Sequence, residues 1–299
     1  MRERSGVLMA LASSALGGIA SVAIRFMVAT TDPVTLGALR FGLGALCLLP
    51  VALCLGARWP RGRDWIAVVA LGCLLFGLCF ALFNLGLVCT TAARGSLAVS
   101  TLPLLTMIAG AALGIEKLTL RKVSGVLIAI SGVALALVTG LASAPADAWR
   151  GDLIIVAAAS CMALYNVWSR PFITRSGPLA YVTATMGAGA ALLGAIAWST
   201  GGFAAVMAFG PPQFLAILYL GLIGSALSFF LWVSALERTT PTRVASTLTV
   251  NPVTASILAA ILLGETVGFN LLLGVVAVAI GIWIASTDRR GSREAGRDG

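Results

Sequence analysis

Residues 91–125 read TAARGSLAVSTLPLLTMIAGAALGIEKLTLRKVSG, and the same pattern returns at residues 240–274 as TPTRVASTLTVNPVTASILAAILLGETVGFNLLLG. A shift of 149 positions superimposes the two stretches, which then share eight identical residues. Matching apolar residues could arise by chance. The informative identities are Thr91/Thr240, Arg94/Arg243, Pro103/Pro252, Glu116/Glu265 and Gly125/Gly274. The chain therefore contains a tandem duplication.

The duplication extends towards the start of each half. Gly6, Arg25 and Pro33 correspond to Gly151, Arg170 and Pro178 at a shift of 145 positions. A four-residue difference in one loop explains the change of shift. We therefore divide the chain into residues 1–145 and 146–287, each one repeat, and a polar tail, residues 288–299, which is predicted to be a disordered cytoplasmic segment.

Composition identifies the solvent as lipid. Apolar residues make up 59% of the 299 residues and charged residues only 10%, whereas soluble domains carry roughly 25% charged residues. The net charge of +9 comes from basic residues in short connections between apolar runs, so nucleic acid is not an expected partner. The chain has no His, and its six Cys lack CxxC spacing. Neither a metal site nor a cofactor is expected.

Ten apolar segments are long enough to cross about 30 Å of hydrocarbon as helices. Alternation typical of a barrel is missing, so helices are the expected structure. The segments span approximately residues 6–28, 34–56, 64–88, 93–115, 122–141, 151–170, 178–200, 213–236, 242–264 and 270–287. We number them segments 1 to 10.

The basic residues predict the orientation. Sixteen of the 20 Lys and Arg residues lie at the ends of segments on one side, and only Arg94 and Arg150 lie on the other. By the positive-inside rule, both termini are cytoplasmic and the protein lies in the cell inner membrane. Five segments per half is an odd number, so the second half enters the membrane from the opposite face. The predicted fold is an all-α membrane protein with ten transmembrane helices in two inverted five-helix repeats, an architecture typical of secondary transporters.

The motifs resemble a known family. Thr240-Pro241, Pro252-Val253, and Leu263-Gly264-Glu265 followed by Gly274 are similar to the EamA-type domain of the drug/metabolite transporter superfamily, as is Ala38-Leu39-Arg40-Phe41 after Asp32-Pro33. The resemblance covers nearly the whole chain. It implies export of amino acids or other small metabolites, with relatives that carry sugars or nucleotide derivatives. It also implies a central cavity lined by segments 1–4 and 6–9, with segments 5 and 10 more peripheral.

Arg40 is the first candidate for substrate binding. A charge inside an apolar segment is costly and marks a functional or paired site, and arginine can hold a carboxylate with two hydrogen bonds. Asp32 is an alternative partner for Arg40 or for Arg25. Further candidates are Tyr165 and Asn166 in segment 6, and three polar residues beside the prolines: Ser100, Thr101 and Asn251. Ser225, Ser228, Trp168 and Trp232 add a polar-aromatic set, although both tryptophans would also suit the membrane interface.

Pro103 and Pro252 lie inside segments 4 and 9, where each removes a backbone donor and predicts a kink. The kinks would serve as gating hinges or simply shape the packing. Glu116 and Glu265 end these segments, so a structural role as helix caps is favoured over proton transfer. Gly42, Gly44, Gly187 and Gly189, at matching places in segments 2 and 7, predict close helix approach.

The sequence thus predicts a secondary-active transporter that exports a small organic metabolite, such as an amino acid, by alternating access. An enzyme is not expected, because paired intramembrane acids and a His cluster are missing from the sequence. A non-transporting membrane scaffold, a channel, or a transporter of sugars or nucleotide derivatives are the alternatives. The small-molecule substrate and the lipid bilayer are the expected partners. A coupling proton and any oligomeric state stay open.

Overall fold

A computed structural model describes residues 2–28, 30–90, 92–116, 118–136, 147–251 and 269–286. Throughout these ranges the regular secondary structure is helical. Among the described residues, five helical stretches are long and apolar enough to cross a membrane: Pro33–Cys54, Asp64–Gly86, Ala148–Trp168, Pro178–Ser199 and Pro211–Arg238. Two apolar stretches are shorter: Val276–Ala285, and Leu97–Ala112, which includes the break at Ser100–Thr101. The predicted class, an all-α membrane protein, is confirmed.

Over its described residues the first repeat has seven α-helices, because segments 3 and 4 each contain two. They are α1 (Arg2–Met27), α2 (Pro33–Cys54), α3 (Asp64–Gly72), α4 (Phe80–Cys89), α5 (Ala92–Val99), α6 (Leu102–Ala112) and α7 (Leu120–Ala136). A π-helical stretch, Cys73–Cys79, joins α3 to α4, so segment 3 is one continuous rod.

The second repeat follows the same order over its described residues. Its helices are α8 (Ala148–Trp168), α9 (Arg170–Ser176), α10 (Pro178–Ser199), α11 (Pro211–Gly221), α12 (Ser228–Arg238), α13 (Pro241–Ser246) and α14 (Phe269–Ser286). A π-helical stretch, Leu222–Leu227, joins α11 to α12, and 3₁₀ turns occupy Gly202–Ala208 and Thr247–Thr249.

Irregular backbone falls at matching places in the two repeats. Under the shift of 149 positions, Cys73–Cys79 coincides with Leu222–Leu227 apart from one terminal residue. Segment 4 is interrupted at Ser100–Thr101, and segment 9 contains its 3₁₀ turn at Thr247–Thr249. The duplication read from side-chain identities therefore extends to the backbone.

Segment 4 differs from the sequence expectation of one kinked helix. The structure ends α5 at Val99 and starts α6 at Leu102, which places Pro103 at the second position of the new helix. An N–H group has no intrahelical partner at that position, so proline costs no hydrogen bond there. The chain stops and restarts rather than bending through a continuous helix.

The two halves pack against each other through repeat-related pairs. Helix α2 packs against α10, and α7 packs against α14. In both pairs, the two helices are equivalent members of the two repeats. Helix α1 packs on α12, while its counterpart α8 packs on α4. These pairings are those of a pseudo-twofold axis between the repeats, as the inverted arrangement requires.

Glycines let the peripheral pair approach closely. A Cβ atom on Gly125 of α7 would lie 2.6 Å from the backbone nitrogen of Ala285 in α14. One on Gly281 of α14 would lie 2.5 Å from the backbone nitrogen of Ala129 in α7. Both distances are below contact distance, so backbone meets backbone along this seam.

Asp32 begins α2. Its Oδ1 accepts hydrogen bonds from the backbone N–H groups of Val34 (3.0 Å) and Thr35 (2.9 Å), and Pro33 follows at the first helical position. Burial raises the pKa of this carboxyl, but the hydrogen bonds from Thr35 and Val34 outweigh it and hold the pKa below its usual value. Asp32 is therefore a helix cap.

Candidate substrate-binding site

Arg40 lies about two turns inside α2, and only 7% of its surface is exposed. Its Nε donates a hydrogen bond to Ser225 Oγ at 3.2 Å, in the π-helical stretch of segment 8. Within the described ranges, no carboxylate lies at ion-pair distance from this guanidinium, so the alternative pairing of Arg40 with Asp32 is wrong. One of the five donors of Arg40 is used, which leaves four for another partner.

Two phenylalanine rings lie against this charge, and two more pack behind them. The guanidinium carbon of Arg40 lies 4.5 Å from the ring centroid of Phe41 and 5.4 Å from that of Phe80. Phe76 and Phe229 complete the group, with ring centroids 4.9 and 6.0 Å from that of Phe41. We call these four residues the phenylalanine box. Cation–π attraction offsets part of the cost of burying the charge, at about 2 kcal/mol when desolvated.

The box is assembled from three segments. Phe41 comes from α2, Phe76 and Phe80 from segment 3, and Phe229 from α12. Phe80 and Phe229 are repeat equivalents, and their ring centroids lie 6.2 Å apart. Arg40 therefore sits beside the pseudo-twofold axis, where segments 3 and 8 meet. A side chain close to such an axis contacts both halves of the molecule.

Two glycines set the spacing of the box. A Cβ atom on Gly189 of α10 would lie 2.3 Å from Phe76 Cβ and 2.9 Å from the carbonyl oxygen of Gly72. In the other half, a Cβ on Gly44 of α2 would lie 3.1 Å from Ser225 Cβ and 3.2 Å from the carbonyl oxygen of Gly221. The π-helical stretches start directly after Gly72 and Gly221. The glycine pattern predicted this close approach.

Tyr165 and Asn166, from α8, are both fully buried. The Tyr165 ring contacts Phe76 of the box with centroids 6.4 Å apart, and Tyr181 of α10 at 6.1 Å. Asn166 Oδ1 accepts a hydrogen bond from Trp232 Nε1 at 3.0 Å. Trp232 is thus buried in the bundle and does not anchor the membrane interface, whereas Trp168 is exposed. The structure brings Tyr165 next to the Arg40 group.

Ser100, Thr101 and Pro103 occupy the break between α5 and α6. Ser100 and Pro103 are buried, and Thr101 Oγ1 donates to the carbonyl oxygen of Ala98 at 2.6 Å. Leu102 packs against Ala159 and Ala163 of α8. The described contacts of Arg40 do not include any of these residues, so this group borders α8 at a separate place. Substrate contact by Ser100 and Thr101, and a hinge at Pro103, stay predictions.

Asn251 follows the 3₁₀ turn of segment 9. Its side chain meets α1 at Gly17, where an added Cβ atom would lie 3.2 Å from Asn251 Nδ2. Substrate binding by Asn251 stays a prediction. Pro252 and Glu265 lie outside the described residues.

Glu116 is buried and reaches across to the second half. Its Oε1 accepts a hydrogen bond from the backbone N–H of Thr242 at 3.0 Å, in the first turn of α13, and its Oε2 lies 2.9 Å from Lys122 Nζ. A carboxylate that accepts a hydrogen bond from a backbone N–H group at the start of a helix interacts favourably with the helix dipole and so stabilises that helix. This geometry is that of a cap on a neighbouring helix.

Sequence reasoning missed a hydroxyl network along α1. Ser13 Oγ donates to the carbonyl oxygen of Ser228 at 2.8 Å, and Ser228 Oγ donates back to the carbonyl oxygen of Ser13 at 3.1 Å. Ser14 Oγ lies 3.0 Å from Thr247 Oγ1. The signal was the Ser13-Ser14 pair in the middle of an apolar segment. The equivalent residues of the second half are Ala158 and Ala159, so this seam is polar on one side only.

One protein-family model matches the chain twice, once in each repeat. The model of the EamA-like transporter family matches residues 4–138 and again residues 149–287. A solved crystal structure superimposes with a TM-score of 0.77, covering 95% of this chain and 97% of the other, at 21% identity. At that identity, the superposition supports the fold alone.

Curated relatives span almost the full length. The chain is 26% identical over 275 residues to an uncharacterized transporter of Archaeoglobus fulgidus, covering 91% of this chain and 95% of the relative. It is 26% identical over 291 residues to the uncharacterized transporter YyaM of Bacillus subtilis, covering 96% and 95%. It is also 28% identical over 256 residues to a probable terminal-alkyne amino-acid exporter of Streptantibioticus cattleyicolor, covering 85% and 84%.

Proposed function

Because the chain belongs to the EamA-like transporter family, we propose that it exports a small organic metabolite with a carboxylate group, such as an amino acid, by alternating access. The observation that carries this proposal is the buried Arg40 guanidinium without an acidic partner among the described residues. A buried charge costs several kcal/mol in order-of-magnitude terms unless a counterion compensates it. A substrate carboxylate would supply that counterion.

The surroundings of Arg40 favour a solute that carries an apolar part beside its carboxylate. A carboxylate would take two parallel N–H donors of the guanidinium, while the phenylalanine box offers apolar contact to the remainder of the molecule. An amphipathic carboxylate suits both. The exporter of Streptantibioticus cattleyicolor supports an amino acid as the solute class.

Alternating access is supported by the pairing of the halves. The main inter-half helix pairs are related by the repeat, as with α1 on α12 and α8 on α4, although the side chains at the two seams differ. Two similar bundles in opposite orientation can exchange conformations, which gives inward-open and outward-open states of similar energy. A scaffold gains nothing from such an arrangement.

The orientation is also proposed. Exposed arginines, including Arg58, Arg61 and Arg175, gather where segment 2 connects to segment 3 and segment 6 to segment 7. An even number of predicted crossings separates these connections from the start of α1, so we assign all of them to one face. The positive-inside rule assigns that face to the cytoplasmic side of the inner membrane. Export then runs from the arginine-rich face to the opposite one.

Efflux from intact cells tests the proposal. Cells that overexpress the protein are preloaded with a mixture of amino acids and related carboxylates, and solute loss is followed with and without a protonophore. The proposal predicts faster loss of one solute class than from cells expressing Arg40→Ala at equal membrane abundance. Sensitivity to the protonophore would identify dependence on the proton gradient. Equal loss from both cell types for every carboxylate would contradict the proposal, and sugars or nucleotide derivatives would be tested next.

A further inference from the structure

Two ion pairs join the halves of the molecule through repeat-related arginines, each paired with an acid near the start of the first helix of the other half. In the first, Arg94 of α5 binds Asp152 of α8: the Arg94 Nε donates to Oδ2 at 3.0 Å, and its terminal amino group Nη2 donates to the same oxygen. Thr90 Oγ1 donates to the other carboxylate oxygen, Oδ1, at 2.7 Å. This pair links segment 4 of the first half to the first helix of the second.

The second pair mirrors the first. Arg243 of α13 donates through Nη1 to Glu3 Oε1 of α1, linking segment 9 of the second half to the first helix of the first. Arg94 and Arg243 are identical residues under the 149-position shift that defines the repeat. Both repeats therefore retain the arginine, and each arginine forms an ion pair with an acidic residue on the first helix of the opposite repeat.

The two pairs lie at opposite ends of the bundle. Glu3 stands at the start of α1 and Asp152 near the start of α8, and the five segments of the first half separate them. An odd number of crossings places the two helix starts on opposite faces. Both pairs are formed at once in the structure.

We propose that Arg94–Asp152 and Arg243–Glu3 are the two gates of the transport cycle, each releasing while the other holds. The proposal rests on the alternating access proposed above and names the residues that control it. Each arginine lies on a short helix, α5 or α13, that ends directly at an irregular turn: Ser100–Thr101 or Thr247–Thr249. Such a short helix can tilt about its turn without disturbing the rest of its segment.

The two gates differ in strength. Asp152 accepts three hydrogen bonds, two from Arg94 and one from Thr90. Glu3 accepts one hydrogen bond, from Arg243. We therefore expect the Asp152 gate to hold more firmly than the Glu3 gate.

Sided thiol labelling tests the gates without a substrate. Thr101→Cys, half-buried at the break in segment 4, is the reporter in a background in which the six native Cys are replaced by Ser or Ala. A membrane-impermeant thiol reagent is applied to intact cells and to inside-out vesicles. Asp152→Asn should raise the rate at which Thr101→Cys is labelled from the face where Asp152 lies. The expected increase is about tenfold if the ion pair stabilises the closed gate by about 1.4 kcal/mol. Glu3→Gln should raise labelling from the opposite face, and by less.

Three controls separate gating from damage. Asp32→Asn removes a carboxylate that caps its own helix, and should leave the sidedness unchanged. Exchanging the charges, with Arg94→Asp and Asp152→Arg together, should restore the wild-type ratio. If Asp152→Asn fails to fold, Thr90→Val removes one of the three donors and should give a smaller shift in the same direction.

The outcomes are distinct. Opposite shifts in the two variants support the gates, and they would do so even if no solute moved, in which case only the proposed transport would fail. Unchanged labelling in both variants, or shifts towards the same face, would overturn the gates even if efflux were normal.

Discussion

A single side chain, Arg40, shows what the sequence could identify and what it could not. A charge inside an apolar segment is visible in the sequence, and so is the possibility that it binds a carboxylate. The phenylalanine box is not visible, because its four residues are spread from position 41 to position 229 and meet only through tertiary packing. The Ser225 contact is hidden for the same reason.

Arg40→Lys should raise the KM for a carboxylate solute by about tenfold or more, which corresponds to about 1.4 kcal/mol of binding energy. Lysine keeps the positive charge but loses the planar fork that holds a carboxylate with two bonds. Kinetics of solute flux measure the change. Arg175→Lys is the matched control, because Arg175 is exposed and also lies over an aromatic ring, Phe172. An unchanged KM in Arg40→Lys would remove Arg40 from the binding site.

Glu116 and Lys122 form a buried pair that fixes one helix onto the other half of the molecule. Glu116→Ala should lower the free energy of unfolding by about 3 kcal/mol, because it removes the carboxylate that pairs with the buried Lys122 and leaves the start of α13 uncapped. Adding Lys122→Met should recover part of this loss, since it replaces the buried ammonium group by an apolar side chain. Denaturation of the protein in mixed detergent micelles measures both variants.

The exposed pair Arg175–Asp64 serves as the control for that experiment. Arg175→Ala should cost no more than about 1 kcal/mol, as is usual for ion pairs in contact with water. Equal losses for Glu116→Ala and Arg175→Ala would show that Glu116 does not act as a structural cap.

At the scale of whole helices, glycine spacing determines how closely α10 approaches segment 3. Gly189→Ala should destabilise the protein by about 1–3 kcal/mol through overpacking, because the new methyl group would collide with Phe76 and the Gly72 carbonyl. Gly194→Ala, in the same helix, meets no atom within 4 Å and should be neutral or stabilising by up to about 1 kcal/mol. Thermal unfolding in detergent compares the two. Equal unfolding temperatures for the two variants would show that the close approach at Gly189 does not contribute to stability.

Helix continuity was the weakest prediction at this scale. The sequence predicted one helix with a proline kink for each of segments 4 and 9, since apolar runs locate a membrane crossing but do not report a local change of hydrogen bonding. The π-helical stretches at Cys73–Cys79 and Leu222–Leu227 likewise leave no mark in composition. Pro103 and Pro252 signalled irregular backbone in segments 4 and 9. Pro103 marks the restart of the helix rather than a bend, and Pro252 lies outside the described residues.

For the whole molecule, the duplication was the strongest signal. Two shifts, 145 and 149 positions, predicted the repeat, and the odd number of segments predicted its inversion. The same shifts relate the packed pairs, the π-helical stretches and the two inter-half arginines. The substrate could not be predicted in the same way, because the repeat does not preserve Arg40, the proposed binding residue, or its contact Ser225: Arg40 corresponds to Thr185, and Ser225 to Phe76.

Solute counterflow tests the central claim, that this chain is a carrier, most directly. Purified protein is reconstituted into liposomes loaded with unlabelled amino acids, and one labelled amino acid at a time is added outside at low concentration. A carrier exchanges the two, so the label should accumulate transiently above its equilibrium level, and Arg40→Ala should abolish this overshoot. A channel would let the label equilibrate without an overshoot, and a scaffold would leave it outside. Either result across the amino acids and the related metabolites, with folded protein, would contradict the account.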